Sequence, residues 1–226
     1  AFVFTVIYLH PALTPFPKTF APGQIFIPFL KVSVADIGWL YFFFSVFVIL
    51  AVTNAVNITD GLDGLAIVPS ITSAAVYAVF AYIIGNKIQA GYLQFEFIPG
   101  TGELTVLCAA VAGGGLGFLW YNAYPAEVFM GDTGALALGG LLATVALLLK
   151  QEFLFVIVGG VFVVEVASSL LQGKIGENIA GRRILYRAPL HLTFRHLGVA
   201  EPRVVVRFWI VSVMLALLGL LTIKLR

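Results

Sequence analysis

Charge is what this sequence has least of. Of its 226 residues, 13 are Lys or Arg and 11 are Asp or Glu, so 11% are charged against 61% hydrophobic. A soluble domain carries nearer a quarter of charged residues, which excludes a soluble globular fold. The formal net charge of +2 is too small to imply a nucleic-acid partner. Cysteine is scarcer still. Cys108 stands alone inside an apolar run, which rules out an internal disulfide and reads as a buried small hydrophobe. An initiating Met and the basic n-region of a signal peptide are both absent. The opening "AFVFTVIYLHP" reads as the end of an apolar helix already under way, so the chain reads as the C-terminal part of a longer protein.

What is abundant is apolar sequence, with a mean hydropathy of +1.04. A bilayer core is crossed by about 20 apolar helical residues. Runs of that kind occur at Trp39–Val56, Leu65–Ile84, Leu104–Tyr121, Gly134–Leu149, Phe153–Gln172 and Val204–Ile223. Residues 1–226 therefore read as one all-α polytopic membrane domain, with six transmembrane helices plus a partial first one at residues 1–10. Pro, Gly and a β-branched alternation over residues 17–37 predict a short extracytoplasmic β-hairpin.

Orientation follows from the basic residues of short loops. The 173–203 segment holds Lys174, Arg182, Arg183, Arg187, Arg195 and Arg203, with Arg207 just beyond, which is more than half of the 13. That loop is expected in the cytoplasm. Parity then places 57–64 and 122–133 on the same side, and 85–103 and 150–152 outside. Asp60, Asp63, Glu127 and Asp132 thereby collect on one face, beside a basic loop that carries His191 and His196.

Four stretches hold candidate chemistry. In "NITDGLDGLA", Asn54, Asn57 and Asp60 recur every three residues, and Gly61 and Gly64 let the backbone approach a ligand. Helix termination alone explains one Asp there, whereas Asn54, Asn57, Thr59, Asp60 and Asp63 within ten residues favour a polar site. In "WYNAYPAEVFMGDTGALALGG", Asp132 and Thr133 stand where an N-cap is expected. The same Gly-Asp-x-Gly frame exposes N–H groups suited to phosphate, and a carboxylate there suits Mg²⁺ against a diphosphate. Glu165, Ser168, Ser169 and Gln172 form one polar stripe on an apolar helix, fit equally for interhelical hydrogen bonding or for catalysis. "RILYRAPLHLTFRHLG" mixes basic, aromatic and apolar residues as a membrane-surface segment does. There His191 suits acid/base work or phosphate contact, and His196 reads as amphipathic filler. Together these stretches imply phosphate chemistry at a bilayer surface, and the pattern alone names no substrate.

"TNAVNITDGLDGLA", "NAYPAEVFMGDTGALALGG" and "APLHLTFRHLGVAEPRVVVRFWI" resemble, in order and over essentially the whole chain, the phospho-N-acetylmuramoyl-pentapeptide transferase family. The resemblance implies transfer of phospho-MurNAc-pentapeptide from UDP-MurNAc-pentapeptide to undecaprenyl phosphate, giving lipid I and UMP in peptidoglycan synthesis. It further implies Mg²⁺ dependence, a homodimer, and a multi-pass protein of the bacterial inner membrane with its active site on the cytoplasmic face. By the same resemblance Asp60, Asp63, Asp132 and His191 are catalytic-site residues, with Asp132 the Mg²⁺ ligand. Asn122 and Phe129 line the uridine pocket, with Asn57 close by. Departures stand beside these matches. The family's triple histidine reads His191-Leu192-Thr193, the usual Ser after Gly134 is Ala135, and its upstream Asp-Asp motif has no counterpart. Two other readings compete: a polyprenyl-phosphate N-acetylhexosamine-1-phosphate transferase, and a transporter or lipid flippase, which predicts acids deep in several spans.

Overall fold

A computed structural model describes residues 23–30, 32–173 and 185–225. The expected partial span at residues 1–10 lies outside the described residues, as do Lys174, Arg182 and Arg183 of the basic loop. Within the expected hairpin, β1 (Gln24–Ile25) pairs antiparallel with β2 (Ala35–Asp36), Gln24 opposite Asp36 and Ile25 opposite Ala35. The rest is helical: α1 (Tyr41–Thr59), α2 (Ile67–Ile84), the short α3 (Lys87–Leu93), α4 (Leu104–Asn122), α5 (Gly131–Leu148), α6 (Leu154–Val158), α7 (Gly160–Leu170), α8 (Leu190–His196) and α9 (Glu201–Leu221).

Five of these, α1, α2, α4, α5 and α9, are long and apolar enough to cross a membrane. At 1.5 Å per residue, 18 to 21 residues span roughly 27–32 Å, the thickness of the hydrocarbon core. The sixth expected span, Phe153–Gln172, is not one helix. It breaks at Gly159, whose φ of −89° and ψ of 20° leave the helical region between α6 and α7. The Phe155 ring packs so closely there that a Cβ on Gly159 would lie 2.6 Å from it. A second difference concerns α5, which begins at Gly131 rather than Gly134.

Helix α2 is the most buried span and packs against α4, α9 and α5, while α1 packs against α5 and α7. Its inward face carries Ser70, Ser73, Ala74, Tyr77, Phe80, Ala81 and Ile84. Helix α4 fully buries only Cys108, Gly115 and Asn122, a single stripe at seven-residue spacing, with Leu104, Thr105 and Val111 half-buried against α2 or the core. Cys108 is fully buried, as its apolar setting implies.

At one end of the bundle a polar knot fastens the hairpin. The buried Lys150 donates to the Gln24 carbonyl at 3.3 Å and lies 3.6 Å from the centroid of the Tyr41 ring, whose hydroxyl donates to Glu152. Burial pushes the Lys150 ammonium down and the Glu152 carboxyl up in pKa, each opposed by the charge of the other. The loops at 57–64 and 122–133 and helix α8 gather at the opposite end.

Candidate active site

The α1–α2 connection sets the first wall. Asp60 caps α1, its N–H donating to the Asn57 carbonyl at 3.1 Å. Its side chain is half-buried, and its carboxyl is held above the ordinary value of 3.8, first by burial and then by the charge of Asp132. Two acids from loops 72 residues apart therefore share one field. Asn54, on the same helix, folds back to donate to the Leu50 carbonyl at 2.7 Å. Asn57 Oδ1 is buried and has no hydrogen-bond partner among the described residues. An orphaned acceptor costs about 1–3 kcal/mol, a cost that a donor or a cation beside it would relieve.

The remaining loop residues are bolted in place. Asp63 Oδ2 accepts from the Ala126 N–H at 3.0 Å. Asn122, 3% exposed, accepts from the Gly64 N–H at 3.1 Å and donates to the Val128 carbonyl at 2.8 Å. Both ends of its amide are thus engaged within the protein, and Asn122 joins the two acidic loops from behind. Gly64 takes a φ of +74°, a conformation open to glycine and few others, and its carbonyl accepts from Trp209 Nε1 on α9 at 2.9 Å. Phe129, by contrast, is 71% exposed on the outer surface of the 122–131 loop.

Asp132 is not an N-cap. Because α5 starts at Gly131, Asp132 sits in its first turn, and no side chain caps that helix. The exposed carboxylate is therefore free of the bond that capping would have required, and it stands at the positive end of a helix dipole.

His191 comes from α8, and its placement is specific. The ring is 2% exposed. Nδ1 lies 2.9 Å from Glu165 Oε2, and the His191 N–H donates to Glu165 Oε1 at 3.2 Å. The other ring nitrogen faces the 60–64 loop: a Cβ on Gly61 would come within 2.5 Å of Nε2. Gly61 is thus a close-approach glycine, and His191 lies against the residue next to Asp60. His196 is exposed and packs on Tyr186 with ring centroids 6.1 Å apart, on the surface. Thr193, where the resembled family has its third histidine, donates its hydroxyl to the Arg187 carbonyl and closes the turn before α8.

An apolar cleft of about 260 Å³ opens beside this site, lined by Val161, Val164, Leu190, Phe194, Phe208 and the exposed Arg207. No group of three His, Cys, Asp or Glu side chains converges among the described residues. Asp132 lies near enough to raise the Asp60 carboxyl, and Mg²⁺ needs only one or two carboxylates when phosphate oxygens complete its shell. The repulsion between these two acids and the orphaned Asn57 oxygen fit a cation of that kind.

The acids and His191 stand out in the sequence as candidates, whereas the contacts around them do not. Trp209 and the Glu165–His191 pair emerge only in three dimensions. Glu165 was visible in the polar stripe, though its partner was not.

A family model described as glycosyl transferase family 4 matches residues 2–150. The chain is 50% identical over 220 residues to the phospho-N-acetylmuramoyl-pentapeptide-transferase of Desulfotalea psychrophila, covering 97% of this chain and 59% of that protein. It is 52% identical over 203 residues to that of Maridesulfovibrio salexigens, covering 90% of this chain and 56% of the relative. With that of Citrifermentans bemidjiense it shares 53% identity over 211 residues, covering 92% and 58%. The chain therefore spans somewhat under three fifths of the length of these relatives.

Proposed function

We propose that this chain, which belongs to glycosyl transferase family 4, carries the active site of a transferase that moves phospho-MurNAc-pentapeptide from UDP-MurNAc-pentapeptide to undecaprenyl phosphate, releasing UMP. The observation that carries this reading is the convergence of Asp60, Asp132 and His191 at one end of a membrane bundle, beside an apolar cleft. Two anionic substrates, one of them a lipid, need such a place.

Phosphoryl transfer asks the protein mainly to position the reactants and to stabilise charge. An oxygen of the lipid phosphate attacks the sugar-linked phosphorus, a new P–O bond forms, and the bond to the UMP oxygen breaks. A phosphate monoester is already a competent nucleophile, so direct attack needs no aspartyl-phosphate. Asp60 orients the incoming phosphate, and His191 Nε2 faces the phosphoryl oxygens from beside Gly61. Asp132, with Asp60 near it, would hold Mg²⁺, which supplies positive charge against the diphosphate. Asn122 and Asp63 keep the two loops in register, while Asn57 and Phe129 offer a polar and an aromatic contact to the nucleotide. The cleft between α7, α8 and α9 suits the first isoprene units of the lipid. The basic residues near α8 favour the cytoplasmic face of a bacterial inner membrane, and the family resemblance favours a homodimer.

The decisive experiment is a radiolabelled transfer assay with undecaprenyl phosphate and Mg²⁺. It offers UDP-MurNAc-pentapeptide and UDP-GlcNAc in separate reactions. Lipid-linked product from the muramoyl donor alone supports the proposal, and product from UDP-GlcNAc alone would move the protein to the N-acetylhexosamine branch.

A further inference from the structure

The polar stripe on α7 does something the transfer reaction does not by itself require. Glu165 and Ser168 on α7, and Gln172 just past its end, each accept a backbone N–H from the start of α8 or from the segment before it. Gln172 Oε1 accepts from Leu185 at 2.9 Å, Ser168 Oγ from Leu190 at 3.0 Å, and Glu165 Oε1 from His191 at 3.2 Å. The stripe therefore docks a loop segment, not another span. Its last rung differs from the other two because Glu165 also meets the His191 ring through its second oxygen.

We propose that Glu165 is the positioning residue for His191, its two carboxylate oxygens fixing the backbone and the ring so that Nε2 faces the Asp60–Gly61 turn. This rests on the transferase reading above. The backbone N–H can only donate, and with Nδ1 donating beside it the pair presents two donors to one side chain. Only a carboxylate offers two acceptor oxygens; an amide of the same shape offers one and turns a donor toward the other. Glu165 is wholly buried, so a mismatched group there finds no water to relieve it. On the far side the ring has no slack, since Gly61 leaves room for Nε2 and for nothing larger. Carboxylate, imidazole and glycine thus form one line running from the membrane interior to the acidic loop.

The test combines kinetics with ring-nitrogen NMR on detergent-solubilised enzyme labelled with ¹⁵N-histidine, the His191 signals being assigned by loss in His191→Ala. Glu165→Gln should lower kcat about 10- to 100-fold, the range for removing a partner that orients a working ligand. It should leave KM for the nucleotide within about twofold and change the His191 ring shifts. Glu165→Asp, which keeps two acceptor oxygens, should recover part of both. In a His191→Ala background, Glu165→Gln should cost less than about twofold, because the two act as one unit. Equal losses in both backgrounds, or His191 shifts identical to wild type in Glu165→Gln, would overturn the proposal. If Glu165→Gln does not fold, Gly61→Ala displaces the ring from the other side with Glu165 intact; unchanged His191 shifts there would overturn it as well. A wild-type enzyme that transfers nothing from UDP-MurNAc-pentapeptide defeats the functional reading, and the ring-nitrogen spectra still decide the positioning claim.

Discussion

Replacing Asp132 with Asn separates the chemistry of this carboxylate from any structural duty. Its exposed side chain makes no capping bond at the start of α5, so the stability at stake is the attraction of one carboxylate for the helix dipole. That attraction is worth about 0.3–1 kcal/mol. The repulsion from Asp60, which the substitution removes, offsets part of it. One kcal/mol shifts the melting temperature of a chain this long by about 2–4 °C, so Asp132→Asn should stay within about 4 °C of wild type. Losing a group that stabilises transition-state charge, directly or through a bound cation, typically costs about 100-fold or more, roughly 2.7 kcal/mol of barrier. The assay pairs transfer from labelled UDP-MurNAc-pentapeptide at saturating Mg²⁺ with thermal unfolding in the same detergent. Transfer within a few-fold of wild type would refute the role given to Asp132. A fall in activity matched by a large fall in melting temperature would refute the claim that the residue has no structural part.

Other outcomes follow from the same geometry. His191→Ala should cut transfer about 100-fold, as expected for a group at the reacting centre, whereas the exposed His196→Ala should stay within about twofold; equal mild effects would return both to surface anchoring. Asp60→Asn should raise the melting temperature at neutral pH in metal-free buffer, and with Mg²⁺ supplied it should abolish transfer. Because the folded-state pKa of Asp60 is raised, stability from this group is fully present below 3.8 and is lost as pH rises through the folded value. The gain from Asn should therefore be largest at neutral pH and vanish in acid, and a gain independent of pH would contradict the sign.

The spans were legible because length and hydropathy act through the bilayer, which imposes the same demand on every crossing helix. The break at Gly159 was not, because two glycines in an apolar run look harmless until an aromatic ring such as Phe155 closes over one of them. The start of α5 was read three residues late because Gly131, with its positive φ, looks like the turn and not the first helical residue. At the site, basic-residue counts and span parity put Asp60, Asp132 and His191 on one face, and the fold brings Asp132 within the field of Asp60 and His191 against Gly61. Periodicity then ran out. It showed that Glu165, Ser168 and Gln172 share one face of the expected span but not that a backbone segment lies against that face, since their partners sit 13 to 26 residues away. Trp209, and the part Asn122 plays in bolting the two loops together beyond the pocket role the family resemblance implied, were hidden for the same reason: each rests on a bond to Gly64, far off in sequence.

The depth of the acidic side chains bears on transport. A conduction path requires polar groups at successive depths, available to a passing ion or headgroup. Here the buried carboxylate on a membrane helix, Glu165, is committed to two donors of His191. At the opposite end Glu152 takes the Tyr41 hydroxyl, beside a Lys150 that is itself tied to the hairpin. Between those ends, the inward face of α2 carries three hydroxyls: Ser70 turns back to the Ala66 carbonyl, Tyr77 donates to the Gln151 carbonyl, and Ser73 is buried with no hydrogen-bond partner among the described residues. Asp60 and Asp132 are different. The charge of Asp132 raises the Asp60 carboxyl at the end of the bundle, where Asp60 is half-buried and Asp132 exposed. Under the proposed transferase function, these acids would act as preorganised charge that gathers phosphate and cation at the surface, a role distinct from passing them through.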